Sequence, residues 1–217
     1  MIIGIPVYEQ VDLLDVAGPY EMFNWVDPTG KKFKAVILSE DGRPVTTVNG
    51  VRFEAHFSFA KAPAIDVLWV PGGPIEVMNV LMTAQPSTYL DYLRKIAADA
   101  RMVCSVCEGA LLLAKAGLLD GHKATTHWSV VECLKQFKSV KVVPGHPRFV
   151  ESGNRLTGGG ISSGLDESLR LIEILTDTAT ATGVQVLTQY FPVPPVQGCI
   201  PKARPCKYRW QGGPASA

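Results

Sequence analysis

A chain of 217 residues, 47% apolar and 19% charged with a formal net charge of +1, has the material for one buried core and no excess of either charge. That balance excludes a nucleic-acid surface advertised by basic residues, and no apolar run approaches the ~20 residues of a membrane helix. The five cysteines are odd in number and irregularly spaced, which points to reduced thiols in a cytoplasmic protein.

Ile2 to Tyr8 reads as a first strand, without the positive leading region of a signal peptide. Glu9 to Ala17 reads as a loop, and Gly18-Pro19 as the entrance to a helix ending near Val26. Lys34 to Leu38 is a second strand. Val45 to Val48 and Val51 to Phe57 flank Asn49-Gly50, a strong hairpin signal. Asp66 to Val70 is a buried strand that stops at Pro71-Gly72-Gly73-Pro74, and Tyr89 to Ala100 is an amphipathic helix. After a strand at Met102 to Val106 and a helix at Ala110 to Ala116, His122 to Thr126 and Val140 to Val143 read as strands around a helix at Trp128 to Phe137. Arg148 to Glu151 and Arg155 to Thr157 make a second hairpin candidate, followed by helices at Leu165 to Leu175 and Thr178 to Tyr190. From Pro192 six prolines occur by Pro214, so residues 192–217 are expected to be an extended or partly disordered tail on a single domain of residues 1–191. The alternation predicts an α/β sandwich with a mainly parallel sheet and two added β-hairpins.

The stretch from Arg101 to Gly117 carries the chemistry. Its strand turns through Cys107-Glu108-Gly109 directly into a helix, which is expected to hold the Cys107 side chain out of the core beside unpaired N–H groups. A cysteine there should have a lowered pKa and act as a nucleophile. Cys104, earlier in the strand, reads as core. A Cys104–Cys107 disulfide is not expected, because residues three apart in a strand point to opposite faces. No second pair of ligands stands at a zinc spacing, so neither metal nor cofactor is expected.

Ligands in an open parallel sheet bind beyond the carboxyl ends of the strands. Asp12 and Asp15 follow the first strand, Gly72 and Gly73 another, and Cys107 a third, with Gly158-Gly159-Gly160 as a possible further wall. Each has a plainer reading: turn formers for the aspartates, a tight turn for the glycines, a satisfied core residue for His127, and a helix-start charge for Glu108. Phe23, Trp25 and Trp128 fit the core as well as a pocket wall.

Val103-Cys-Ser-Val-Cys107-Glu-Gly-Ala, followed by Ala116-Gly-Leu-Leu-Asp-Gly-His-Lys-Ala-Thr-Thr-His127-Trp128, resembles the DJ-1/PfpI superfamily. Asp15-Val-Ala-Gly-Pro19, Val70-Pro-Gly-Gly73, Leu156-Thr-Gly-Gly-Gly-Ile-Ser-Ser-Gly-Leu-Asp166 and Tyr190-Phe-Pro-Val-Pro-Pro195 resemble its isocyanide (isonitrile) hydratase branch, shared with domains of AraC-type regulators. The resemblance implies an α/β, three-layer flavodoxin-like sandwich with a mainly parallel sheet and added β-hairpins. It also implies a cofactor-independent homodimer with Cys107 as nucleophile, Asp15 facing the thiol, and the N–H groups of Gly73 and Glu108 as an oxyanion site. Gly72 and His127 join the expected substrate-binding set. The hydratases carry Thr after the cysteine, where this chain has Glu108.

Three functions follow as expectations. The first is hydration of an isocyanide to an N-formamide. The second is glyoxalase-like conversion of a small carbonyl compound, with Glu108 or Asp15 as base. The third is a ligand or oxidant sensor built on a low-pKa thiol. The proline-rich tail in place of helix-turn-helix segments speaks against a DNA-binding regulator. The expected partners are a small-molecule substrate and a second copy of the chain, with neither nucleic acid nor membrane.

Overall fold

Short β-branched runs alternating with helix formers give, in the computed structural model, a sheet with helices on both sides; the structure describes residues 1–210. The chain runs through β1 (Ile2–Pro6), α1 (Leu13–Asn24), β2 (Lys34–Ser39), β3 (Val45–Thr46), β4 (Arg52–Phe53), β5 (Phe57–Ser58) and β6 (Val67–Val70). It continues through α2 (Ile75–Thr83), α3 (Thr88–Ala97), β7 (Met102–Ser105), α4 (Gly109–Lys115), β8 (Lys123–Ala124), α5 (Val131–Leu134) and β9 (Lys141–Val142). The last elements are β10 (Phe149–Ser152), β11 (Arg155–Gly158), α6 (Ser163–Leu175) and α7 (Thr178–Leu187).

Seven strands form the main sheet in the order β10-β11-β7-β6-β1-β2-β5. Every neighbouring pair is parallel except β10 and β11, which form the second expected hairpin, with Ser152 opposite Arg155. Helices α1, α6 and α7 form one packed group, and α2, α3, α4 and α5 the other. Strands β6 and β7 are buried at every position, the pattern of parallel strands covered on both faces.

Several elements depart from expectation for local reasons. Helix α1 begins at Leu13 and carries Pro19 inside it. Proline has no N–H to donate to the carbonyl four residues back. That carbonyl, of Asp15, instead accepts a 3.1 Å hydrogen bond from the indole Nε1 of Trp69 on β6, so a tertiary contact replaces the missing helical one. The Asn49-Gly50 turn does join an antiparallel pair, β3 and β4, and Gly50 has φ +84°. The expected strand from Val51 to Phe57 breaks, however, and β5 leaves the hairpin to pair with β2 at the sheet edge. The helix expected from Trp128 to Phe137 is a 3-10 turn followed by the single turn of α5. Helix α2, immediately after the prolines, was not anticipated.

From Pro192 to Trp210 the chain has neither helix nor strand and lies against the α5 side of the molecule. Trp210 is buried and stacks on Phe137, and the Gln136 side chain bonds Tyr208 O and Trp210 N. Cys206 is disulfide-bonded to Cys133 of α5, while Cys104, Cys107 and Cys199 are free. The expectation of uniformly reduced thiols is therefore corrected. The pair lies 73 residues apart in sequence, so only the folded path of the tail brings it together. The end of the expected tail, residues 211–217, lies outside the described residues. No helix among the described residues is long and apolar enough to cross a membrane.

Candidate active site

The strand order reverses between β1 and β6, because the chain leaves β1 for β2 on one side and later returns to β6 on the other. Such a switch point opens a crevice at the carboxyl ends of the strands. Asp15 on the first turn of α1, Gly72-Gly73 after β6 and Cys107 after β7 all reach this point.

The corner at Cys107 is built as its sequence suggests. Cys107 has φ +57°, a left-handed conformation that L side chains adopt at a cost of roughly 1–2 kcal/mol. Three hydrogen bonds hold it and its neighbours there. Cys107 N–H donates to Gly159 O at 2.8 Å, Thr126 Oγ1 donates to Cys107 O at 2.8 Å, and Gly109 N–H donates to Val106 O at 3.0 Å. A non-glycine residue cannot open α4, since a Cβ at Gly109 would lie 2.2 Å from Val70 O.

The environment of the thiol is not the one anticipated. Cys107 is 1% exposed, inside the molecule rather than held out of it. Burial pushes its pKa well up, and the neighbouring Asp15 and Glu108 push it further, while an N–H from Ile161 opposes them. The expectation of a lowered pKa is thus overturned: dehydration and two acids outweigh the backbone donors of a two-turn helix.

Asp15 is fully buried. Its Oδ2 accepts the Gly72 N–H at 2.9 Å, and Oδ1 has no hydrogen-bond partner among the described residues. Burial first, and then Glu108, raises this carboxyl well above the usual range and so favours its protonated form.

Glu108 is the feature that backbone reasoning passed over. Its side chain folds back across the glycine turn, so that a Cβ on Gly72 would meet Glu108 N at 2.6 Å and Oε2 at 2.8 Å. The N–H groups of Gly73 and of Glu108 itself, the pair expected to hold a substrate oxyanion, both face this carboxylate, as does the Cys107 thiol. Oε1 lies 3.5 Å from His127 Nδ1, and Oε2 is buried without a partner among the described residues. Burial raises the Glu108 pKa to about 7, with the thiol and the backbone donors pulling it down.

His127 Nδ1 also lies 2.7 Å from Ser129 Oγ. Its ring borders an open cleft of about 330 Å³ lined by Thr126, Trp128, Arg148, Ile161 and Ile200, the last from the tail. Gly159 and Gly160 form part of the same wall, as the glycine run suggested. A larger cavity of about 650 Å³ near Tyr8, Arg43 and Tyr89 holds none of the acids or thiols of the switch point. Among the candidate aromatics, Trp128 borders the cleft, Phe23 packs edge-on against Trp69 in the core, and Trp25 is largely outside.

Asp12, Asp15 and Cys107 offer ligand atoms within 4.8 Å of one another. A cation there would compete with the protons that burial favours on Asp15 and the thiol. These donors come from two segments distant in sequence, the start of α1 and the corner after β7.

Two residues at the site escaped the sequence reading altogether. Tyr8 donates its hydroxyl to Pro71 O at 3.0 Å and abuts Gly73. Glu167 is fully buried in α6, with both carboxyl oxygens unpartnered among the described residues and Asp15 close enough to raise its pKa. An acid at helical spacing from Leu171 and Gly164, on the apolar side of α6, was the available signal.

The DJ-1/PfpI family pattern matches residues 2–174. The chain belongs to this family. Over 203 residues it is 36% identical to isonitrile hydratase of Pseudomonas putida, covering 94% of this chain and 84% of that protein. It is 28% identical over 174 residues to the HTH-type transcriptional regulator GbdR of Pseudomonas aeruginosa, covering 78% of this chain and 45% of the regulator. A THiJ/PfpI family protein from Pseudomonas syringae superposes with a TM-score of 0.80 at 32% identity, covering 90% of this chain and 77% of that one. DJ-1beta of Drosophila melanogaster shares the fold at a TM-score of 0.75 and 18% identity, covering 87% of this chain and 97% of that one. The DJ-1/PfpI match stops short of α7, so the disulfide-anchored tail lies beyond it.

Proposed function

We propose that this protein is a cysteine-dependent hydratase that converts a small isocyanide to an N-formamide with its own side chains. The observation that carries the reading is the Cys107 thiol at the sheet switch point, pressed between the acids Asp15 and Glu108. The similarity to an isonitrile hydratase over most of both chains supports the substrate class.

In this reading the Cys107 sulfur forms a bond to the terminal carbon of R–N≡C as its S–H bond breaks. Protonated Asp15 delivers a proton to that carbon, giving a thioformimidate. Water then adds to the same carbon, losing a proton to Asp15, and the nitrogen takes up the proton that left the thiol. The C–S bond breaks, the hydroxyl proton passes to sulfur, and HC(=O)–NH–R leaves. The sum is R–NC plus water, with the thiol and the acid restored.

Peroxide sensing draws on exposed thiolates, and Cys107 is 1% exposed, which favours the hydratase reading over the sensor reading. A homodimer belongs to the same reading, supported by the exposed apolar residues Val186, Leu187, Phe191 and Val193 at the end of α7 and beyond. The test is product identification after incubation with aliphatic and aromatic isocyanides, with methylglyoxal in parallel. Formamides are expected. Lactate from methylglyoxal together with no formamide would move the protein to the glyoxalase reading, and neither product would remove the enzyme assignment.

A further inference from the structure

The expected catalytic set uses only the backbone of residue 108, yet the structure gives its side chain a more specific position. The Glu108 carboxylate touches the nucleophile on one side and His127 on the other, and the thiol has no opening to solvent of its own. Asp15 also contacts the thiol, but it is fully buried, one oxygen is held by Gly72 N–H, and it does not line the cleft. His127 Nδ1 lies 3.5 Å from Glu108 Oε1 and 2.7 Å from Ser129 Oγ, while the other edge of its ring lies against Gly160 on the cleft wall; a Cβ at Gly160 would sit 3.0 Å from His127 Nε2. Sulfur, carboxylate and imidazole therefore form a continuous line from the reaction centre to open space.

We propose that the Glu108 side chain is the catalytic base that takes the Cys107 proton, and that His127 is the positioning residue that exchanges this proton with the cleft.

The assignment rests on the hydratase reading for its chemistry and deepens it by dividing the work between two acids. When Sγ bonds to the substrate carbon, the thiol proton moves to a Glu108 oxygen while Asp15 supplies the proton that appears on carbon. When water has added, Glu108 delivers a proton to the nitrogen, either the one it took or one exchanged with the cleft through His127, and both acids end as they began. Their surroundings fit these opposite roles. Burial and the neighbouring Glu108 favour the protonated, donor form of Asp15, whereas Glu108, near 7, is substantially ionised and ready to accept. His127 is lowered from its ordinary value by burial, so it is largely neutral at that pH and able to receive a proton. The remaining titratable groups that bear on Glu108 are Tyr8 at the end of β1, Asp12 before α1 and the thiol itself. Tyr8 is pushed well above its usual range by burial and stays neutral. Asp12 adds negative charge that raises Glu108.

The experiment is the pH dependence of Cys107 alkylation by iodoacetamide, followed by mass spectrometry of the Cys107 peptide. Wild type, Glu108→Gln, Glu108→Asp, His127→Ala and His127→Ala with added imidazole are compared. Wild type is expected to show a rise in rate near pH 7. Glu108→Gln should lose that rise, reacting about tenfold or more slowly at pH 7.5 and recovering only at strongly alkaline pH. Glu108→Asp should keep a rise at a lower rate, which separates loss of the base from loss of the fold. Imidazole should restore His127→Ala in proportion to its concentration, a response that a packing role does not produce. A Glu108→Gln protein that alkylates faster than wild type at pH 7.5 would overturn the proposal, because Glu108 would then only oppose thiolate formation. Failure of imidazole rescue would remove His127 from the route. Alkylation needs no substrate, so these outcomes are independent of whether an isocyanide is hydrated.

Discussion

Glu108 and Glu167 are both buried acids within electrostatic reach of Asp15, yet their surroundings are opposite. Glu108 has a thiol, two backbone donors and an imidazole around it, and its pKa is raised only to about 7. Glu167 has no hydrogen-bond partner among the described residues on either oxygen and is raised well above its ordinary value by burial and by Asp15. Gly158 permits its presence, since a Cβ there would lie 2.1 Å from Glu167 Oε2. Burial alone makes an acid costly. A line of exchangeable partners leading outward makes one useful.

The largest effect available belongs to the thiol that Glu108 serves. Cys107→Ala should lower kcat/KM for isocyanide hydration by about 10³-fold or more, read as formamide release. The two acids should then separate sharply. Glu108→Gln is expected to reduce kcat by about 10²-fold, and Glu167→Gln to stay within about twofold of wild type. Equal losses in the two variants would break the distinction, because both would then be acting through packing or charge.

Stability should order the same pair by pH. A carboxyl whose folded pKa exceeds its unfolded value binds its proton more tightly in the folded state. Its contribution is complete below the unfolded pKa and is lost as pH rises through the folded one. For Glu108 this window runs from about 4.5 to about 7, and for Glu167 it begins at about 4.5 and runs upward to its own raised pKa. Glu167→Met should therefore stabilise the protein above pH 7 by about 1–3 kcal/mol in urea titrations, and less at pH 4. A smaller and purely structural effect is expected on the other side of the site. Trp69→Phe removes the donor that replaces the Pro19 hydrogen bond and should cost roughly 1–2 kcal/mol at any pH. A loss confined to alkaline pH would instead tie Trp69 to the titration of Asp15.

Much of this architecture was legible before folding. The alternating strands and helices, the Asn49-Gly50 turn and the Cys107 corner are local patterns, and each is present. What escaped depended on contacts between distant segments. Helix α1 starts before Pro19 because Trp69, more than 40 residues later, satisfies Asp15 O. Cys133 and Cys206 meet only after the tail has crossed the surface to α5. The thiol pKa moved in the direction opposite to expectation because a corner motif specifies backbone conformation, while burial and neighbouring acids are set by Asp15 and the fold around it. Glu108 was visible as a residue, but its side-chain direction, back over Gly72 and Gly73, was not.

The central claim is that Cys107 is the reacting group of a hydratase, and the most direct measurement compares isocyanide hydration by Cys107→Ala and by Cys199→Ala. Both cysteines are free thiols, but Cys199 lies exposed in the tail. The account predicts that formamide formation collapses in Cys107→Ala and is unchanged in Cys199→Ala. Wild-type turnover by Cys107→Ala would contradict it.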